Sequence, residues 1–200
     1  MILSLVGIFM LWCVLSLVAT ATIDVEKLKP SEIAIMQYDS REPRDYWLSA
    51  AKWNNQYCKR HGHVFIYYTS KEGCHYNAEK LATPWCKVKA MLAANEDYPS
   101  VKLFVYMDSD AVVDKRFSDK PLNAHMKVMQ DRLQWDPSVK PIVFNQDGSC
   151  WWCQMVVRVG YNMCLNAGTV VWYRHHHSEM ILQRWWDASM DSYDTNPIKR

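Results

Sequence analysis

The sequence predicts an α/β domain with a largely parallel sheet flanked by helices. Apolar runs of strand length alternate with stretches of helical periodicity from residue 33 to residue 190. No cluster of Gly, Pro or Ser interrupts that alternation, so one domain holds it. The run VKLFVYM at 101–107 is nearly continuous in its apolar character, as a strand covered by helices on both faces requires.

Residues 1–23, MILSLVGIFMLWCVLSLVATATI, carry no charged side chain, and as a helix would reach roughly 34 Å. They fit a signal anchor, and with Ala19-Thr20-Ala21 as a small-x-small cleavage site they also fit a signal peptide. Either one sends the remainder into the secretory lumen. Residues 24–32 are a short polar stem. IAIMQY (33–38) is the first strand, and Tyr46, Ala50, Trp53 and Tyr57 then recur at helical spacing, with Gly62 as the stop. VFIYYT (64–69) is a second strand. Thr83-Pro84 opens a helix whose Trp85, Val88 and Leu92 share a face, and the 101–107 strand follows. Leu122, Met126, Met129 and Leu133 mark another helix, PIVF (141–144), MVVRV (155–159) and GTVVWY (168–173) three more strands, and residues 177–190 a last helix.

Half of the residues are apolar, which excludes a disordered or fibrous chain. With 23 basic against 21 acidic residues and no long basic run, nucleic acid is excluded as a partner. Beyond Cys13 in the leader, Cys58, Cys74, Cys86, Cys150, Cys153 and Cys164 form an even set that could make up to three disulfides, in any of fifteen connectivities. Cys150-Trp151-Trp152-Cys153 has redox spacing but lies outside the strand-to-helix context of a thioredoxin motif and has no second pair to complete a zinc site. Structural cysteines are the simpler reading.

The chemistry gathers where the apolar strand meets Asp108-Ser109-Asp110. Two adjacent ionised carboxylates at the end of a buried strand demand a compensating cation or a shared proton. In α/β sheets, ligands bind beyond the carboxyl ends of strands. Three readings fit. The acids could cap a turn. They could be the nucleophile and general acid of a haloacid-dehalogenase-type phosphatase, although the later Lys and second acidic pair of such enzymes are not found. Or they could hold Mn²⁺ or Mg²⁺ against the diphosphate of a nucleotide-sugar, the small Ser109 permitting close approach.

Three segments together resemble the GT-A-fold glycosyltransferases, most closely the family 34 galactosyl- and mannosyltransferases. TPWCKVKAML (83–92) is similar to that family's W-x-K helix, VYMDSDAVV (105–113) to its metal strand, and CLNAGTVVWY with ILQRWWDASM (164–173, 181–190) to its N-x-G strand and Trp-bearing helix. The resemblance implies a mixed, largely parallel GT-A (Rossmann-like) sheet over residues 33–200 behind an N-terminal hydrophobic helix. It implies a metal-dependent transfer of a hexose of galactose, mannose or xylose type. It implies a UDP- or GDP-linked sugar as donor and a glycan or glycoprotein as acceptor. The setting it implies is the Golgi or another secretory-pathway membrane, reached through residues 1–23, or secretion if the leader is cleaved.

Carried across by position, Asp108 and Asp110 would hold the metal. Lys87, Asp108, Ser109 and Asp110 would bind the nucleotide-sugar, and Asn166 and Gly168 would line the sugar pocket. No catalytic residue is assigned. The family continues past its Trp-bearing helix into an acidic-Gln motif and a metal-binding His, whereas here Asp187, Asp191 and Asp194 follow with no His. The resemblance therefore implies a C-terminally incomplete domain. A catalytically inactive, glycan-binding lumenal homologue is the main alternative, and the phosphatase comes third. Simpler readings stand beside the assignments: Lys87 as a solvated helix residue, Asn166 and Gly168 as turn and close-approach residues, Trp185 and Trp186 as core, and His175-His176-His177 as surface loop.

Overall fold

The computed structural model describes residues 22–41, 45–70, 74–76, 79–81, 83–146 and 165–194. The leader up to residue 21, the expected strand 155–159, and Cys150, Cys153 and Cys164 lie outside them. The elements are β1 (Ile33–Asp39), α1 (Asp45–His61), β2 (Val64–Thr69), a hairpin of β3 (His75–Tyr76) and β4 (Glu79–Lys80), α2 (Thr83–Asp97), β5 (Leu103–Met107), α3 (Leu122–Leu133), β6 (Ile142–Gln146), β7 (Leu165–Tyr173) and α4 (His176–Asp194).

Five strands form one sheet in the order β2-β1-β5-β7-β6. β1 pairs in parallel with β2 and β5, while β7 runs antiparallel to both β5 and β6. Four of the five strands therefore point the same way. The sheet is mixed and largely parallel, as expected. The β3–β4 hairpin was not foreseen, because strands of two residues leave no periodicity to read.

Alternation along the strands builds two cores. Ala34, Met36, Phe104, Tyr106, Val170 and Trp172 face Met91 and Ala94 of α2 and Leu182 of α4. Ile33, Ile35, Leu103, Val105 and Val171 face Tyr57 and Cys58 of α1, Leu122 of α3, and Trp135. The cross-strand neighbours Phe104 and Trp172 stack with ring centroids 4.7 Å apart, a pairing that adds about 0.5–1.5 kcal/mol beyond burial. The indole N–H of Trp172 donates to Asn95 Oδ1 at 3.0 Å. Just past β7, Arg174 donates to the carbonyls of Asn95, Tyr98 and Val101 at 2.6–2.7 Å, satisfying acceptors around the C-terminus of α2.

Two sequence expectations change. Residues 24–32 are no free stem: Val25 is fully buried against α3, and two single-turn 3-10 helices occupy the segment. The inner face of α1 is Ala50, Ala51, Asn54, Tyr57 and Cys58, with Tyr46 62% exposed. Of the four residues at helical spacing, Ala50 and Tyr57 lie on this face, whereas Trp53 is 37% exposed and a polar residue, Asn54, takes the place beside it. Gly62 ends α1 at φ +73°, a left-handed conformation that costs a glycine little.

Trp186 is buried with Leu81 and Val88, and Trp185 packs against Phe144 with centroids 5.3 Å apart, so both serve the core. His176 and His177 open α4 on its exposed side. Cys74 and Cys86 form a disulfide that ties the hairpin to the first turn of α2. Cys58 is free, and burial pushes its thiol up to about 12.

The Cys74–Cys86 bridge closes a separation of 12 residues. Cys74→Ser with Cys86→Ser should lower unfolding stability by about 2–3 kcal/mol, measured by urea titration. Cys58 should resist alkylation in the native protein and react once denaturant unfolds it, checked by mass spectrometry.

Candidate active site

The parallel pairing of β1 with β5 sets the carboxyl ends of the two central strands side by side. Asp39 ends β1, and Asp108 to Asp110 follow β5 directly. Both strands are buried along almost their whole length, so charge can appear only where they leave the sheet. A cleft of about 280 Å³ opens there, lined by Tyr38, Asp39, Ser40, Arg41, Lys87, Tyr106, Asp108, Ser109 and Asp110.

Asp108 is held from two sides. Lys87 Nζ on α2 lies 2.9 Å from Asp108 Oδ1, and the hydroxyl of Tyr106 donates to the same oxygen at 2.9 Å. Burial, reinforced by the charge of Asp108, pushes the Tyr106 phenol up, so it stays protonated as a donor. Lys87 also donates to the Ala167 carbonyl at 3.2 Å, while the Asp108 amide donates to the Gly168 carbonyl at 2.8 Å. Lys87 is thus no solvated helix residue: its side chain is only 16% exposed. The bridge Cys74–Cys86 fixes the residue just before it.

Ser109 is buried, and its hydroxyl oxygen accepts from Arg41 Nη2 at 2.6 Å. That guanidinium also grips Asp39 through both carboxylate oxygens, at 3.0 Å from Nε and 2.9 Å from Nη2, and stacks 3.4 Å above the Trp47 ring. Burial raises the Asp39 carboxyl, but the Arg41 side chain and backbone and the Ser109 hydroxyl outweigh it and hold the group below its ordinary value. Asp110 stands exposed at the rim. The turn is closed by the Ala111 amide donating to the Asp108 carbonyl at 2.9 Å.

Of the residues read from sequence, Lys87, Asp108, Ser109 and Asp110 line one cleft, and Gly168 meets it through its backbone. Asn166 lies in β7 opposite Asn145; its side chain is outside the described set. Asp39 and Arg41 were missed. Asp39 repeats the signal that exposed Asp108: a carboxylate ending a buried strand.

For a divalent cation, the described residues offer Asp108 and Asp110 and no group of three or more His, Cys, Asp or Glu. Both hydrogen bonds to Asp108 fall on Oδ1, and its side chain is 42% exposed. The donor set fits Mg²⁺ or Mn²⁺, hard ions that take one or two carboxylates and fill the remaining positions with phosphate oxygens and water.

The mixed sheet and its flanking helices are of the GT-A type. The chain belongs to the galactosyl transferase GMA12/MNN10 family, whose sequence pattern matches residues 32–199. Membership makes it a transferase of glycosyl groups and sets aside the phosphatase alternative. The fold is similar to that of a glycosyltransferase involved in the glycosylation of the major capsid of PBCV-1, with a TM-score of 0.58 and 20% identity over 82% of this chain and 70% of that one. No curated protein matches the sequence.

The lowered Asp39 carboxyl has a consequence for pH. Its ionised form stabilises the fold above the unfolded value of 3.8, and that contribution is lost as pH falls through the lowered folded value. Arg41→Gln removes the main lowering partner and leaves burial, which raises the carboxyl. The acid loss of stability should then begin at higher pH than in the wild type. Urea midpoints between about pH 6 and about pH 3 check this.

Proposed function

We propose that this cleft binds the diphosphate of a UDP- or GDP-linked hexose and that the protein transfers the sugar to a glycan or glycoprotein acceptor in the secretory pathway. One observation carries the reading: Asp108 and Asp110 stand with Lys87 in a single cleft at the carboxyl end of the central strand, in a chain of this family. Asp108 and Asp110 would hold Mn²⁺ or Mg²⁺. The cation, when bound, supplies Lewis-acid stabilisation of the charge that develops on the departing diphosphate.

The chain's own groups do the rest. Tyr106 and Lys87 orient the Asp108 carboxylate, and Lys87 brings a positive charge to the cleft wall next to the 166–168 segment. Asn166 and Gly168, carried by β7 on the far side of β5, would line the space for the hexose. Arg41 keeps the β1 end and Ser109 together, so the floor of the cleft is a joined surface. The Cys74–Cys86 disulfide suits an oxidising lumen, the compartment to which residues 1–23 would deliver the domain.

A panel of nucleotide-sugars with Mn²⁺, read by thermal shift and then by sugar turnover, tests the proposal. Wild type should gain stability with UDP or GDP only when Mn²⁺ is present. Asp110→Asn should lose that gain while the metal-free protein melts at or above the wild-type temperature, because one of two neighbouring charges has been removed. A wild type that responds to neither nucleotide with Mn²⁺ would refute the cation reading.

A further inference from the structure

We propose that Gln37 and Asn54 are positioning residues: from beneath the cleft they fix the loop 108–113 and so set the directions in which Asp108 and Asp110 present their carboxylates. The inference rests on the reading of those acids as the cation site, and adds two residues that stand outside the cleft lining.

Gln37 stands in the middle of β1, in a strand that is otherwise apolar until Tyr38 and Asp39, and it is fully buried. Its Nε2 donates to the Asp108 carbonyl at 3.0 Å and to the Ala111 carbonyl at 3.1 Å, the first and last residues of the turn. Its Oε1 is buried with no hydrogen-bond partner. Reversing the amide would turn an oxygen toward two carbonyls, so the loop dictates the orientation and the orphan oxygen is its cost.

Asn54 is also fully buried, on the inner face of α1. Its Nδ2 donates to the Ala111 carbonyl at 2.9 Å, and its Oδ1 accepts from the Val113 amide at 3.0 Å. Trp53, its neighbour, donates its indole N–H to the Val113 carbonyl at 2.7 Å. Two separate elements thus satisfy the loop's backbone at residues 108, 111 and 113. A leucine at either position would serve an ordinary core. The amides are explained by a loop that has no sheet partner for these groups and must hold one shape.

The test uses the full chain with Gln37→Met, Asn54→Ala, and Asn54→Ser as the milder truncation should the alanine variant not fold. Leu182→Val, a core change on α4 far along the chain, is the stability control. In metal-free protein, hydrogen exchange of the peptide spanning 108–113 should quicken roughly tenfold in the Gln37 and Asn54 variants and stay unchanged in the control. With UDP or GDP present, the Mn²⁺ concentration for half-saturation should rise roughly fivefold in the same variants, with Leu182→Val at the wild-type value. Unchanged exchange in the loop, or Mn²⁺ affinity that falls no further than in Leu182→Val, overturns the proposal. Faster exchange in a wild-type background that never binds Mn²⁺ supports the clamp and overturns the cation reading instead.

Discussion

A strand covered by helices on both faces can carry charge only at its ends, and the whole arrangement follows from where β5 ends. β5 lies at the centre of the sheet, between β1 and β7, and four of its five residues are buried. Charge placed one residue earlier would enter the core; placed where it is, Asp108 meets Lys87 from α2 and the Tyr106 hydroxyl from its own strand. Because β1 runs parallel to β5, its own terminal carboxylate, Asp39, arrives at the same edge and needs its own partner, Arg41. The cleft is therefore a place where two buried strands release acids together, each against a cation of the chain.

That logic also divides what the sequence could reveal from what it could not. Continuous apolar runs announced the central strands, and Asp108-Ser109-Asp110 announced itself by contrast with the run before it. The strand 33–39 carried the same contrast at Asp39, but a lone acid followed by Ser and Arg looks like an ordinary turn. Lys87 was legible only through the family's W-x-K pattern, since one Lys on a helix is by itself a surface residue. Ser109 was read for its small size, and nothing in the sequence signalled that its hydroxyl oxygen also accepts from Arg41. The hairpin at 75–80 rests on a disulfide, and disulfide pairing cannot be ranked from spacing alone.

Buried amides were the least visible. Periodicity rewards apolar residues, so the spacing of α1 picked out Ala50 and Tyr57 on its inner face and passed over Asn54 between them. Gln37 broke no pattern either, because a single polar residue in a strand is normal on a solvated face. Only the three-dimensional pairing shows that both side chains point at the same short stretch of backbone. The strand-end acids are plain in the sequence, and the buried amides beneath their loop are silent.

The polar side chains at this edge each carry a cost. Gln37 leaves a buried acceptor unsatisfied, Asp39 accepts burial against its preference for water, and Arg41 is immobilised by a carboxylate, a hydroxyl and an aromatic face at once. None of these choices improves the packing of the two apolar cores, which Phe104, Trp172, Met91 and Leu182 on one side and Ile35, Leu103 and Tyr57 on the other already secure. These three side chains stand together at one edge of the sheet, around the loop that follows β5. The desolvation that Gln37 and Asp39 accept at this edge is offset by the bonds they make there, to the loop carbonyls and to Arg41.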